Sequence, residues 1–221
     1  GYESGIISTI YGPAGSGKTN LTMLCAAKCA RNGKKVIYVD TESSFSVERL
    51  KQICPDYAKM LEKLIFLRPT SFDEQIECFK RLKELVHCGR DDVGIIIIDT
   101  ISMLYRLELG KNENVYDINR ELGRQLQWLS EVATKKHIPI LVTNQVYADF
   151  EVKDKVKMVG GDILKYWSKC LIELQKTEQG NRRAILMKHR SIREGREIVF
   201  RIVQTGILGT KEKKIFGLFT R

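Results

Sequence analysis

No run of apolar residues in this 221-residue sequence approaches the roughly 20 that a membrane-spanning helix needs, and no stretch reads as a secretory signal. That sets a cytoplasmic location as the expectation. Six cysteines, Cys25, Cys29, Cys54, Cys78, Cys88 and Cys170, form no CxxC pair and have no histidine at metal spacing. Cysteine-ligated metal sites are thereby disfavoured, and buried free thiols in a reducing compartment are expected. Repeats, low-complexity tracts and linkers are also missing, so residues 1–221 read as a single domain, long enough to bury a full core. No lid or acceptor pocket of a small-molecule kinase is recognisable. The first residue is Gly rather than Met, and the natural start is expected to lie upstream of it.

Acid is scarce, and unevenly so. The net charge is +10, yet residues 1–150 carry 20 Lys and Arg against 19 Asp and Glu, whereas residues 151–221 carry 17 against 8. A basic third joined to a near-neutral body suits a polyanionic partner such as nucleic acid. The plainer alternative is a solvated basic surface or an adaptation to salt or heat.

Short β-branched runs, "IISTIY" (6–11), "VIYVD" (36–40), "LIFL" (64–67), "GIIIID" (94–99) and "IPILVTN" (138–144), alternate with helical patterns near 18–31, 46–62, 71–88 and 113–136. Strands apolar on both faces, separated by helices, predict an α/β fold with a mostly parallel sheet flanked by helices. After residue 168, "KCLIEL", "RRAILMKH" and "REIVFRI" follow one another with short turns, which predicts an antiparallel C-terminal extension of the sheet.

Between the first strand and first helix stands "GPAGSGKT", residues 12–19, matching G-x-x-x-x-G-K-[ST] in the context that gives the motif its meaning. Glycines let backbone N–H groups turn inward around phosphates at a helix N-terminus, where negative charge is favoured. The expected grip is Gly12, Pro13, Ala14, Gly15, Ser16, Gly17, Lys18, Thr19 and Asn20, with Lys18 on the outer phosphates and the Thr19 hydroxyl on Mg²⁺. A second carboxylate for the magnesium shell is expected at the end of a buried strand, and Asp99 closes "GIIIID". Hydrolysis also needs a group that orients or deprotonates water. In "VIYVDTES" Glu42 stands just past a strand end, with Asp40 beside it, and the residues alone leave the two open.

At this point the residues become recognisable. "YVDTESSFSVERL" (38–50) resembles the "DTE…F…ER" segment of RecA-type recombinases, and "LVTNQV" (141–146) resembles their γ-phosphate-sensing strand end. With the phosphate loop and "IIIID" the resemblance covers residues 1 to about 203. It implies a RecA-like P-loop ATPase core using ATP and Mg²⁺, with Glu42 as catalytic glutamate, Arg49 stacked on adenine, and Gln145 sensing the γ-phosphate and relaying to DNA loops. Independently, Arg49 offers a planar cation suited to lie over a base, and Gln145 a neutral amide donor for a phosphate oxygen. Within the superfamily the chain most resembles the archaeal RadB family of recombinase paralogues, through "LYRLEL" (104–109), "RELGRQLQWL" (120–129) and "MKHRSIREG" (187–195). That implies weak ATPase activity, little strand exchange, and partners that include DNA, single-stranded or branched, and a RadA-type recombinase or other recombination proteins.

Departures from full recombinases are informative. Their first DNA loop carries "GRG" and a second arginine six residues after the first. Here Ile118 holds the first position and Arg124 the second. Where recombinases place a histidine after the paired glycines, this chain has Tyr166. The second loop, "YADFEVKDKVKMVGGDI" (147–163), mixes Lys153, Lys155 and Lys157 with Tyr147 and Phe150. Cations along a backbone with aromatics for stacking suit single-stranded DNA, and a polar surface loop is the plainer reading. Lys188, His189 and Arg190 replace a segment that in recombinases caps a neighbour's ATP. They suit phosphate or DNA, or a strand ending in solvent. The alternative to a DNA-binding recombination protein is a KaiC-like ATPase switch acting on protein partners without DNA.

Overall fold

The computed structural model describes residues 2–88, 92–111, 114–148, 156–177 and 180–210. Five strands, β1 (Ile7–Tyr11), β2 (Lys35–Asp40), β3 (Leu64–Leu67), β4 (Val93–Asp99) and β5 (Ile140–Asn144), lie where the apolar runs predict them. Helices α1 (Lys18–Arg31), α4 (Phe72–Cys88) and α6 (Val115–Lys136) likewise match their patterns. The helical pattern over 46–62 resolves into two pieces, α2 (Val47–Ile53) and α3 (Tyr57–Leu61). Cys54 precedes Pro55 and is extended, with φ −139° and ψ 96°. The proline ring excludes the residue before it from helical geometry, and the helix stops there.

The chain continues through α5 (Met103–Leu109), a hairpin of β6 (Val146–Ala148) and β7 (Val156–Met158), and α7 (Gly161–Trp167). It ends in β8 (Cys170–Lys176), β9 (Arg182–His189), β10 (Glu197–Val203) and β11 (Gly206–Gly209). The main sheet has nine strands in the order β11-β10-β9-β8-β1-β5-β4-β2-β3. From β3 to β8 every neighbouring pair is parallel. The antiparallel extension therefore begins one strand later than the sequence suggests. β8 pairs parallel with β1 on one side and antiparallel with β9 on the other.

Alternation along the central strands divides the core in two. Ile96 and Ile98 face one layer with Val142, Leu82 and Leu126 beneath α4 and α6. Ile95 and Ile97 face the other, with Tyr38, Met23, Leu50 and Met60 beneath α1 to α3. Both faces of the sheet are buried, as the continuous apolar runs require. Among the described residues no helix is long and apolar enough to cross a membrane. Cys25, Cys29, Cys54, Cys78 and Cys170 are free, and burial pushes the Cys25 and Cys78 thiols up to about 11.

Candidate nucleotide site and its link to the second loop

A consequence of the parallel topology is that β1, β2, β4, β5 and β8 all release the chain at the same edge of the sheet. In open α/β sheets this carboxyl edge is where ligands bind. From β1 the chain enters the phosphate loop, and three glycines there meet the C-terminal strands. A Cβ on Gly12 would lie 2.4 Å from the Leu174 carbonyl oxygen, a collision with backbone. Gly15 and Gly17 have φ of 71° and 105°, conformations that side chains disfavour, and a Cβ on Gly17 would meet Ile202 at 3.0 Å. The antiparallel extension is thus the wall behind the loop.

Gly17 precedes α1 without any side-chain cap, so the first amides of that helix remain available for an anion. Lys18 is buried, and its Nζ donates to the Gly12 and Pro13 carbonyls at 2.8 and 3.1 Å. Burial lowers its pKa, while Glu42 and Asp99 act in the opposite direction. The Ser16 hydroxyl is wholly buried without a hydrogen-bond partner. A buried orphan hydroxyl beside a lysine and free helix amides is the chemistry a nucleotide's phosphates satisfy, so the residues present fit that group. Thr19, the expected magnesium ligand, begins the next step of α1, with its Oγ1 3.3 Å from the Ser44 hydroxyl.

Asp99 is buried and richly bonded. Its Oδ2 accepts from the Tyr38 hydroxyl at 2.8 Å and Thr22 Oγ1 at 3.3 Å, and its Oδ1 from Thr143 Oγ1 at 2.5 Å. Hydroxyls from α1, β2 and β5 therefore hold one carboxylate at the end of β4, whose peptide to Thr100 is cis. Burial, and then the Asp99 charge, hold the Tyr38 pKa well above its ordinary value, so it remains a donor.

Asp40 and Glu42 differ in what each touches. Asp40 accepts from the backbone N–H groups of Ser44 and Phe45, both at 3.1 Å, and so shapes the turn after β2. Glu42 is half-buried, and its Oε1 accepts from Gln145 Nε2 at 2.7 Å. Two side chains picked from segments 103 residues apart thus meet directly.

Gln145 is also joined to the second loop. Its carbonyl accepts from Val159 N at 3.2 Å, and Asn144 Nδ2 donates to the Val159 carbonyl at 3.0 Å. Gly12 N donates to the Asn144 carbonyl at 3.3 Å, linking the same strand end to the phosphate loop. The loop's two sides pair as β6 and β7, with Tyr147 opposite Lys157. Phe150, Lys153 and Lys155 lie outside the described residues. Gly160, at φ 61°, starts α7 against Leu122 and Tyr105.

Arg49 on α2 is a junction. Its Nε donates to Asn20 at 2.7 Å, and its terminal nitrogens donate to Gln52 and to the Val203, Gln204 and Gly206 carbonyls. These bonds lie in the guanidinium plane and leave its faces as the part able to stack. Arg124 sits midway along α6, beside α4, and pairs with Glu121 at 3.7 Å. Ile118, by contrast, is built into the core under α6. Tyr166 is exposed and packs edge-on against Trp167. Lys188 donates to the Lys165 carbonyl at 2.7 Å, His189 Nδ1 accepts from Ser191 N and Ile192 N, and Arg190 pairs with Glu3. Since Cys170 opposes His189 in the register, this cluster lies at the sheet edge opposite its own chain's phosphate loop.

Sequence reasoning missed two cations. Arg182 Nε donates to the Gly15 carbonyl at 3.2 Å, and the Lys176 ammonium stands beside Gly15. Their one signal was a basic residue on each side of the turn that follows β8.

A phosphate loop after the central strand β1, an acid at the end of β4 with β5 between the two strands, and a glutamate–glutamine pair at the same edge define a RecA-like P-loop ATPase fold. The Rad51 family model matches residues 1–210, and the chain belongs to that family, whose members are ATPases. It is 42% identical over 212 residues to "DNA repair and recombination protein RadB" of Methanobrevibacter smithii, covering 94% of this chain and 89% of the relative. It is 44% identical over 210 residues to the protein of the same description from Methanococcus maripaludis, covering 93% and 92%. Among solved structures it is similar to one described as the crystal structure of the RadB recombinase. There the TM-score is 0.77 and the identity 34%, over 94% of this chain and 91% of the other.

Proposed function

We propose that the chain is a RadB-like recombination and repair protein: a weak ATPase that binds DNA and carries out little strand exchange of its own. The observation that carries the reading is the Gln145–Glu42 hydrogen bond, set between the phosphate loop and the base of the second loop. Lys18, the Ser16 hydroxyl and the amides at the start of α1 hold the phosphates, and Thr19 and Asp99 serve the magnesium. Bound MgATP supplies the phosphoanhydride that is cleaved. Glu42 orients the attacking water and takes its proton at the carboxylate. Gln145 hydrogen-bonds to Glu42 through its side chain and to the second loop through its backbone, so a change at either end is felt at the other. The faces of Arg49 serve adenine.

DNA is the polyanion that suits the basic C-terminal third, with Lys153, Lys155, Lys157 and Arg124 as the side chains for its phosphates. A RadA-type recombinase is the protein partner that fits a paralogue in which Ile118 has replaced a DNA-contacting arginine. The relatives' names favour this reading over a KaiC-like switch without DNA. The test is DNA affinity against salt, with and without ATP. A salt slope near zero, or no DNA binding, would overturn the DNA reading, and a folded Lys18→Ala variant with undiminished ATP affinity would overturn the nucleotide one.

A further inference from the structure

Lys176 ends β8 and Arg182 begins β9, and the two are direct partners in the antiparallel register. Like charges placed opposite each other across a strand pair destabilise it. Neither forms an ion pair among the described residues. Both are nonetheless aimed at one point. Arg182 Nε donates to the Gly15 carbonyl at 3.2 Å, and a methyl group built on Gly15 would lie 3.3 Å from the Lys176 ammonium. Arg182 is also tied back to its own turn through the Gly180 and Asn181 carbonyls at 2.8 and 3.1 Å. Among the described residues the lysine has no such tether, and it is exposed.

A third cation, Lys18, is close by. Its Nζ donates to the Gly12 and Pro13 carbonyls of the same loop. Three cations drawn around the mouth of a phosphate loop repel one another unless an anion lies between them. A nucleotide's polyphosphate is such an anion.

We infer that Lys176 is a phosphate-binding residue of the nucleotide site, supplied by the same chain from the β8–β9 turn, and that Arg182 is the positioning residue that holds the loop beside it. Lys176 stands at Gly15, beside the loop that holds the buried Lys18, and adds a second positive charge for the phosphates. It discriminates triphosphate from diphosphate. The cation that many phosphoryl-transfer sites receive from a partner has a counterpart here within one chain.

The inference rests on the nucleotide reading above, and the test separates the two. Full-length wild type, Lys176→Arg, Lys176→Gln, Lys176→Glu and Lys18→Ala are titrated with fluorescent ATP and ADP analogues at fixed low salt. Lys176→Gln is expected to weaken ATP binding about tenfold, the effect of one charge-assisted contact, and ADP binding less, so that the ATP-to-ADP preference falls. Lys176→Glu weakens ATP binding further, and Lys176→Arg keeps it near wild type. Without nucleotide, Lys176→Glu melts no lower than wild type, because it turns a like-charge cross-strand pair into an opposite-charge one. An unchanged ATP-to-ADP preference in Lys176→Glu, with binding lost in Lys18→Ala, overturns the role of Lys176 and leaves the phosphate loop intact. Wild-type binding by Lys18→Ala overturns both. Equal losses in Lys176→Arg and Lys176→Gln mean that packing, not charge, is at work, and also overturn it.

Discussion

The amide of Gln145 donates to the carboxylate of Glu42 at 2.7 Å, joining the end of β5 to the turn after β2 across β4, which lies between those strands. A single hydrogen bond thereby connects the residue suited to activate water with the residue whose backbone fastens the second loop.

Replacing Glu42 by Gln preserves the acceptor for Gln145 and removes the base. ATP affinity should stay within about twofold of wild type, while turnover falls by roughly 10²–10⁴-fold. Steady-state phosphate release beside equilibrium nucleotide titration checks this, and equal turnover in the two proteins would remove Glu42 from the chemistry.

Gln145→Ala breaks the connection without touching the phosphate loop. The backbone bond from Val159 to residue 145 survives the substitution, so the loop stays attached. The expected result is near-normal binding of ATP and of DNA measured separately, with the effect of ATP on DNA affinity abolished. Coupling between two ligands is typically worth about 1–3 kcal/mol. DNA titrations with and without a non-hydrolysable ATP analogue measure it, and undiminished coupling in the variant would exclude the side chain as the relay.

If the loop lysines meet DNA phosphates, they act through counterions. Each phosphate neutralised on a single strand contributes about −0.7 to the slope of log affinity against log salt. Changing Lys153, Lys155 and Lys157 together to Ala should flatten that slope by about 2 and weaken binding alike for unrelated sequences. ATP affinity should hold. A triple variant with the wild-type slope would move the DNA surface elsewhere on the basic C-terminal third.

Tyr38→Phe tests the hydroxyl cluster around Asp99. It leaves the ring contacts with Phe45 and Phe66, at 5.1 and 5.4 Å between centroids, and deletes one donor to a buried carboxylate. The expected cost is about 1–3 kcal/mol of stability, read from denaturant unfolding. An unchanged unfolding midpoint would show that Thr22 and Thr143 suffice.

The legible parts of the sequence were those where one physical rule acts alone. Runs such as "GIIIID" are apolar on both faces, and only a strand covered on both sides uses them, so β4 fell within one residue of its expected place. The phosphate loop announced itself because its glycines serve backbone geometry and nothing else. Glu42 and Gln145 were each legible, and their contact was not, because strand order rather than spacing sets β2 and β5 on either side of β4. Lys176 and Arg182 were invisible for a related reason. On a strand a lysine looks like any solvated edge residue, and only the register that sets it against Arg182 and Gly15 gives it a site. The break between α2 and α3 has its signal in Pro55, which a helical period running over 46–62 masks.

Ile118 makes its position hard to trade for a charged one. Its side chain packs in the same core cluster as Leu122, Tyr105 and Leu104. An arginine placed there would bring an unpaired charge into a dry interior, at a cost of several kcal/mol, before it touched any DNA. The position behaves as a ratchet: neighbours have closed around the aliphatic side chain, and admitting a charge demands that they open first.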